Sequence, residues 1–424
     1  MRILLFEDSS APKLSPIALT RPVFDLICGR FSLRERIERT QPEELGMLVR
    51  DYLADVVREN TPAARVNDFS WLAEKTTIAI NGRWLPGPSS LRQIKEGQAG
   101  IVDDTVAWFH IHPEFGAELT SDNWEDMFGS IVRDCEQVEV GGHVIRRPWD
   151  LINHNPDQLT WDYRQYSRSN PVENSSHVAL LGSPVDISIA PTAQIDPFVV
   201  IDARNGPISI EDNVKIQSFT RIEGPCHIGR ETQVFRALIR EGTTIGPQCR
   251  VGGEIEESIF HGFVNKYHEG FIGHSYVCPW VNLGAMTTNS DIKNDYSPVR
   301  VPLDGDPVDT SSTKVGCFIG DHTKTAIDSM FNTGSSIGVM SMVLPGGELL
   351  PKFVPSFSKV WHGHLAEGWD LDRSLETART CMKRRDHELT AAQENLLRHL
   401  QHTTQARRAE AIEWHVSRRT ERTV

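Results

Sequence analysis

The sequence predicts an α/β domain, then a parallel β-helix, then a helical tail. Three observations carry that prediction. Residues 1 to about 175 alternate short apolar runs with amphipathic helical stretches; from about 178 large aliphatic residues recur every six positions; and from about 366 the chain turns polar and rich in Glu, Arg, Ala and Gln. A chain of 424 residues is too long for one ordinary core, so two or three structural units are expected.

In the first region the runs RILLF, TTIAI and DTVAWFHI have strand texture, while LRERIERT and WEDMFGSIVRDCEQV have helical texture, which is the pattern of a layered α/β domain. Residues 150 to 177 (DLINHNPDQLTWDYRQYSRSNPVENSSH) are polar with interspersed Pro and Asn, and predict a helix followed by a linker, with a domain boundary near 176.

In the second region, residues 178 to 355, aliphatic residues fall at Ile189, Ile195 and Ile201, and again at Ile210, Ile216, Ile222, Ile228 and Val234. After a second interruption the period returns at Ile319, Thr325, Phe331, Ile337 and Val343. Four places on stand small or β-branched residues, such as Ala193, Val214, Thr220, Cys226, Thr232, Thr323 and Ser341. One strand and one turn per six residues winds a narrow prism, with the aliphatic side chain inside and the small one at the corner. Such a prism has no internal cavity. Any site belongs on its outer faces, in the segments that interrupt the period, or between chains. The third region, residues 366 to 424, predicts one or two long helices, whose stripe Leu389, Leu396, Leu397 and Leu400 suits packing on the prism end or on a neighbouring chain.

Composition narrows the function. A formal net charge of -13 argues against nucleic acid or an anionic membrane as the main partner, and leaves room for a small anionic metabolite held by local cations. The seven cysteines form no CxxC pair, as expected of reduced thiols in the cytoplasm. The opening MRILLFEDSS is too short in apolar residues for a signal segment, and no run is long enough to span a bilayer, so a soluble cytoplasmic protein is expected.

The repeats, the loop NKYHEGFIGH and the following WVNLGAMTTNSDIKNDY resemble the left-handed β-helix acyltransferases. In particular they resemble the bifunctional bacterial N-acetylglucosamine-1-phosphate uridyltransferase/glucosamine-1-phosphate acetyltransferase family. A variant branch of that family, of sugar nucleotidyltransferases, is similar at LTRPVFDLICG, GGEIEESIFHGFVNKYHEGFIGHS, VNLGAMT, GCFIGDHTKTAIDSMFNTGSSIGV and PSFS. The likeness covers nearly everything except the C-terminal helices. It implies a nucleotidyltransferase-like first domain and a left-handed β-helix. It also implies acetyl-CoA as acyl donor, a homotrimer, and a place in the biosynthesis of UDP-N-acetylglucosamine or a related sugar nucleotide.

By the same resemblance His268 matches the catalytic histidine and Asn282 a substrate-contacting asparagine. Amide formation from a thioester needs a base for the attacking amine, which an imidazole supplies, and donors for the developing oxyanion, which backbone N–H groups of VNLGAMT supply. Asn265, Lys266 and Lys293 are candidate partners for a phosphate or hydroxyl, and Ala285, Ser329 and Gly334 are candidate cofactor contacts along the groove between prisms. The chain departs from the family pattern at Phe271, where a tyrosine is usual, and at Glu256 and Glu257, where lysines are usual; an acidic pair there would repel a sugar phosphate.

The first domain departs further. No glycine-rich loop follows RILLF, and Asn81 stands where a metal-binding aspartate is usual. Arg21, Arg34 and Arg83 are the candidate nucleotide phosphate ligands, with Asp8, Asp103 and Asp104 for magnesium if the domain transfers nucleotides. Two other function classes use the same prism. One is a zinc-dependent carbonic anhydrase-like protein, for which His261, His268, His274 and His322 are the candidate ligands; the other is a non-catalytic trimerising scaffold.

Overall fold

The computed structural model describes residues 2–87, 90–167 and 177–422; the linker expected near 176 lies outside them. The chain divides into two compact units. One comprises Met1–Leu14, Thr20–Leu26 and Phe31–Arg147, and the other Ser15–Leu19, Ile27–Arg30 and Pro148–Val424.

The first unit is built on a seven-stranded sheet in which Arg2–Phe6 pairs in parallel with Glu44–Leu48 and Thr77–Asn81. RILLF is buried throughout, as a run apolar on both faces must be in a covered parallel sheet. The helix Trp124–Asp134 lays Phe128, Ile131 and Val132 against the sheet, where Phe128 meets Phe6 and Phe109 edge-on at 5.2 and 4.9 Å. Ser32 and Glu35 form a capping box that starts the helix Leu33–Glu38.

The second unit is a left-handed parallel β-helix with a helical tail. Three inward files run through successive coils in register. One passes from Ile210 through Ile228, Ile245, Phe260, Val277, Ile319 and Ile337 to Val354, nearly all of it fully buried. At roughly 2 kcal/mol per buried aliphatic side chain, these files are what hold coil to coil. At several corners the residue before the small one has a left-handed backbone: φ is 57° at Asn213, 59° at Glu231, 53° at Gln248, 63° at Trp280 and 58° at His322. The corner hydroxyls repay that strain locally. Thr323 Oγ1 donates to the Gly338 carbonyl at 2.6 Å and accepts from Ser341 N at 3.2 Å, tying one coil to the next.

The repeat does not stop between 235 and 289, as its spacing had suggested. It continues through Ile239, Ile245, Val251, Ile255, Phe260, Lys266 and Ile272. A register shift between Phe235 and Ala237, and a strand Arg250–Glu256 that bends from one face to the next through Gly252 and Gly253, shorten the spacing and hide it. The larger excursion is residues 290–315, which carry the hairpin Arg300–Leu303 and Asp306–Asp309.

Two short segments and one helix dress the prism. The helix Pro148–Tyr166 belongs to this unit: Asn155 accepts from Gly29 N at 2.7 Å and donates to the Gly242 carbonyl at 2.7 Å, and Asp162 accepts from Arg30 N at 2.7 Å. The tail is three helices, Leu371–Lys383, Ala391–Thr403 and Gln405–Arg422, rather than one or two. A Thr390–Gln393 capping box restarts the second after a break with Asp386 at φ 58°. Leu396, Leu397 and Leu400 are buried, and Ala411 and Ile412 pack on the prism core, sealing a coil end that would otherwise expose aliphatics.

Candidate active site

His268 follows the strand Asn265–Lys266 at a corner of the prism and is exposed, with its ring edge-on to Tyr267 at 4.8 Å. The corner is fixed by backbone. Glu269 O accepts from Met286 N at 2.9 Å, which joins the His268 loop to VNLGAMT in the next coil. Gly270 has φ of +124°, and a Cβ there would stand 2.2 Å from Thr287 O, so only glycine lets the two segments approach this closely.

Within residues 282 to 287 nearly every N–H is committed. Asn282 donates to Thr323 O, Leu283 to Asn265 O, Gly284 to Thr325 Oγ1, Met286 to Glu269 O and Thr287 to Gly284 O, all at 2.8 to 3.1 Å. Ala285 N–H alone of the six has no acceptor among the described residues, one position from the amide that meets the His268 loop. Asn265 Nδ2 donates to Asn282 Oδ1 at 2.6 Å, pairing the two asparagines on the outer face just before His268. His268, Ala285, Asn265 and Asn282 therefore come together on adjoining coils.

The other expected residues of the prism do not join them. Lys266 takes an inward position aligned with Val251 and is 1 % exposed. Its ammonium donates to the Gly252 and His268 carbonyls at 2.9 and 2.7 Å, and burial pushes it down to about 8. It holds the loop and faces no substrate. Lys293 is spent within the excursion, on Ser297 Oγ at 2.9 Å and Pro298 O at 2.6 Å. Ser329 is fully buried with its hydroxyl on Ala326 O at 2.8 Å, and Gly334 lies beneath the hairpin, where an added Cβ would meet Val299 at 2.6 Å.

Glu256 and Glu257 are not a bare acidic pair. Glu256 lies 3.4 Å from Lys314 and 3.9 Å from Arg240, and Glu257 lies 3.3 Å from His274. His274 also bonds Asp291 at 2.8 Å. Burial alone would lower the imidazole; the two carboxylates override it and raise it to about 9, so it is a clamped cation. Asp291 was missed in the sequence because it reaches His274 from the next coil, 17 residues on. In place of a tyrosine hydroxyl, the Phe271 ring lies over Gly273.

Among the described residues, the one group of three metal-capable side chains is Glu256, Glu257 and His274, and its imidazole is protonated between carboxylates; His261, His268 and His322 are not part of it.

In the first unit two of the expected phosphate and metal ligands, Arg83 and Asp8, are spent on each other. Arg83 is buried and grips Asp8 with Nε at 2.8 Å and Nη2 at 2.5 Å, while Asn81 Nδ2 donates to the same carboxylate at 2.9 Å. Burial would raise Asp8, and the arginine outweighs it and holds the carboxyl below its usual range. Arg34 is paired with Asp25 and Glu38, and the Arg21 carbonyl accepts from Arg50, which also grips Glu7 at 2.9 Å. Asp103 and Asp104 sit in the turn between two strands, both with left-handed backbones. Among the described residues of this unit no group of three carboxylate, imidazole or thiol side chains converges.

All seven cysteines are free thiols, and no helix among the described residues is long and apolar enough to cross a membrane.

Residues 3–170 match the family model described as sugar nucleotidyl transferase. The chain is 30 % identical over 153 residues to a bifunctional sugar-1-phosphate nucleotidylyltransferase/acetyltransferase of Sulfurisphaera tokodaii, covering 32 % of this chain and 38 % of that one. It is 33 % identical over 109 residues to the bifunctional protein GlmU of Methanococcus maripaludis, covering 25 % and 26 %. An uncharacterized acetyltransferase, YaiX of Escherichia coli, is 29 % identical over 182 residues, covering 37 % and 65 %. The matches thus span less than two thirds of each relative's length. Residues 3–170 are thus similar to sugar nucleotidyl transferases, and parts of the chain are similar to bifunctional nucleotidylyltransferase/acetyltransferases.

Proposed function

We propose that the prism transfers an acyl group, with acetyl-CoA as donor, to the amine of an amino sugar or sugar phosphate, and that His268 is the base. The observation that carries the reading is the N–H of Ala285, uncommitted among the described residues, in the coil beside the exposed imidazole. The amine nitrogen attacks the thioester carbonyl, His268 takes the proton that nitrogen sheds, and Ala285 N–H donates to the oxygen as it becomes anionic. The C–S bond then breaks, and the imidazolium returns its proton to the departing thiolate. Asn265 Oδ1 and Asn282 Nδ2, left over from their mutual bond, are placed to receive sugar hydroxyls. A homotrimer with coenzyme A between prisms is part of the reading, supported by the hexapeptide repeat.

For residues 3–170 we propose binding of a nucleotide or sugar nucleotide, supported by the family match. No transfer step is derived there, because Asp8 and Arg83 satisfy each other. The function is tested by following coenzyme A release from acetyl-CoA with a panel of amino sugars and their phosphates. Release dependent on at least one acceptor is expected; release with none of them would overturn the assignment for that donor.

A further inference from the structure

We propose that a second pocket, on the outer face of the prism where the turn after the helix Leu371–Lys383 meets the coils, binds the phosphate of a phosphorylated small molecule. The pocket encloses about 430 Å³, within the roughly 300–1,000 Å³ of ligand sites, and Lys215, Arg250, Arg384 and Arg385 converge on it. None of the four has a carboxylate within ion-pair distance among the described residues. Nearby in the same tail, Arg379, Arg398 and Arg407 each hold at least one. Two carboxylates, Glu231 and Asp386, also line the pocket, and the cations outnumber them two to one.

In a chain of net charge -13, four unpaired cations at one place need a counterion. Arg385 shows the strain directly: it is anchored by a bond to the Gln248 carbonyl, and burial, with Arg250 beside it, loosens its proton. A phosphate dianion supplies the missing charge, and arginine forks match its oxygens bidentately. Arg250 is also the register partner of Asn265, so the pocket shares one outward file with the Asn265–Asn282 pair. A phosphate here has two sources with the same chemistry, the phosphate of a sugar phosphate or the phosphates of a nucleotide or coenzyme A.

The test is calorimetric titration of the full chain with inorganic pyrophosphate, glucosamine 1-phosphate and adenosine 3′,5′-bisphosphate at low salt. We expect saturable binding of at least one probe, weakened by added salt, and about tenfold weaker in Arg250→Gln and in Arg384→Gln. Arg384→Gln is the safer variant for folding, since Arg384 is exposed and Arg385 is the one tied to the prism. Arg58→Gln, on the surface of the other unit, should change nothing. Preference for the sugar phosphate assigns the pocket to an acceptor, and preference for the bisphosphate assigns it to a nucleotide or to coenzyme A. No saturable binding of any probe, equal binding in both pocket variants, or equal loss in Arg58→Gln would overturn the proposal. Binding is read without turnover, so it stands or fails separately from acyl transfer.

Discussion

The carboxyl ends of the first unit's strands and the outer face of the prism carry similar residues, yet they differ in what is left unpaired. After the strands ending at Phe6, Leu48 and Asn81 stand Glu7, Asp8, Arg50 and Arg83, where open α/β sheets commonly take ligands. Every one of those charges is matched within the unit. On the prism, His268, the Ala285 amide and the cations around Arg250 have no such partners among the described residues. Residue type alone would rank the two regions alike; the count of uncommitted atoms separates them. A buried arginine that already grips an aspartate has nothing left to offer a phosphate.

The largest expected effect tests the prism side. Replacing Ala285 with proline removes its uncommitted N–H and should lower kcat for acyl transfer by about 10² to 10³, while Ala285→Gly, which keeps it, should retain activity. Equal activity in both, with melting temperatures unchanged, would remove the oxyanion role and leave the two regions alike.

Next comes the first unit. Arg83→Ala leaves the Asp8 carboxylate without its bidentate partner and should destabilise that unit by about 3 kcal/mol in urea unfolding. A neutral result would mean that the crevice charges are not structurally committed, and the contrast would dissolve.

A smaller effect concerns the His274 clamp. Its imidazole is raised from an ordinary value near 6.5 to about 9, so its contribution is full below 6.5 and is lost as pH rises through 9. Stability should fall by ~3 kcal/mol across that window, and His274→Gln should flatten the fall. Asp291 and Glu257, held below their ordinary values, act at the other end: their contribution is present above those values and is lost as pH falls. A stability curve that is level from pH 6.5 to 9.5 would refute the clamp. The smallest effect is an expected zero. Millimolar magnesium should leave the melting temperature of the first unit unchanged, and a rise would show that Asp8 can leave Arg83 for a cation.

Much of the prism was legible because burial demands an aliphatic residue at each inward position. Ile210 to Val234 and Ile319 to Val343 obey a spacing of six without exception apart from Thr325. The coils between were hidden by the shift at Phe235 and Ala237, by the bend through Gly252 and Gly253, and by Lys266 in an inward place. His268, Asn265, Asn282 and Ala285 were legible as motif positions. Direction was not: in a strand, one residue of register decides whether a side chain faces the core or the solvent. That is why Lys266 and Ser329 read as ligands and proved to be interior. The pairing of Arg83 with Asp8 was equally out of reach, since the two residues are 75 positions apart and meet only through the sheet. In the tail, composition gave helix but not its breaks, which depend on the left-handed Asp386 and the Thr390 cap.

The most direct test of the central claim is the rate of coenzyme A release by His268→Ala, measured with the best acceptor of the panel and with the intact fold checked by melting. Loss of about a hundredfold or more in kcat, with little change in KM, is the result expected if the imidazole takes the amine proton. Release at the wild-type rate would contradict it.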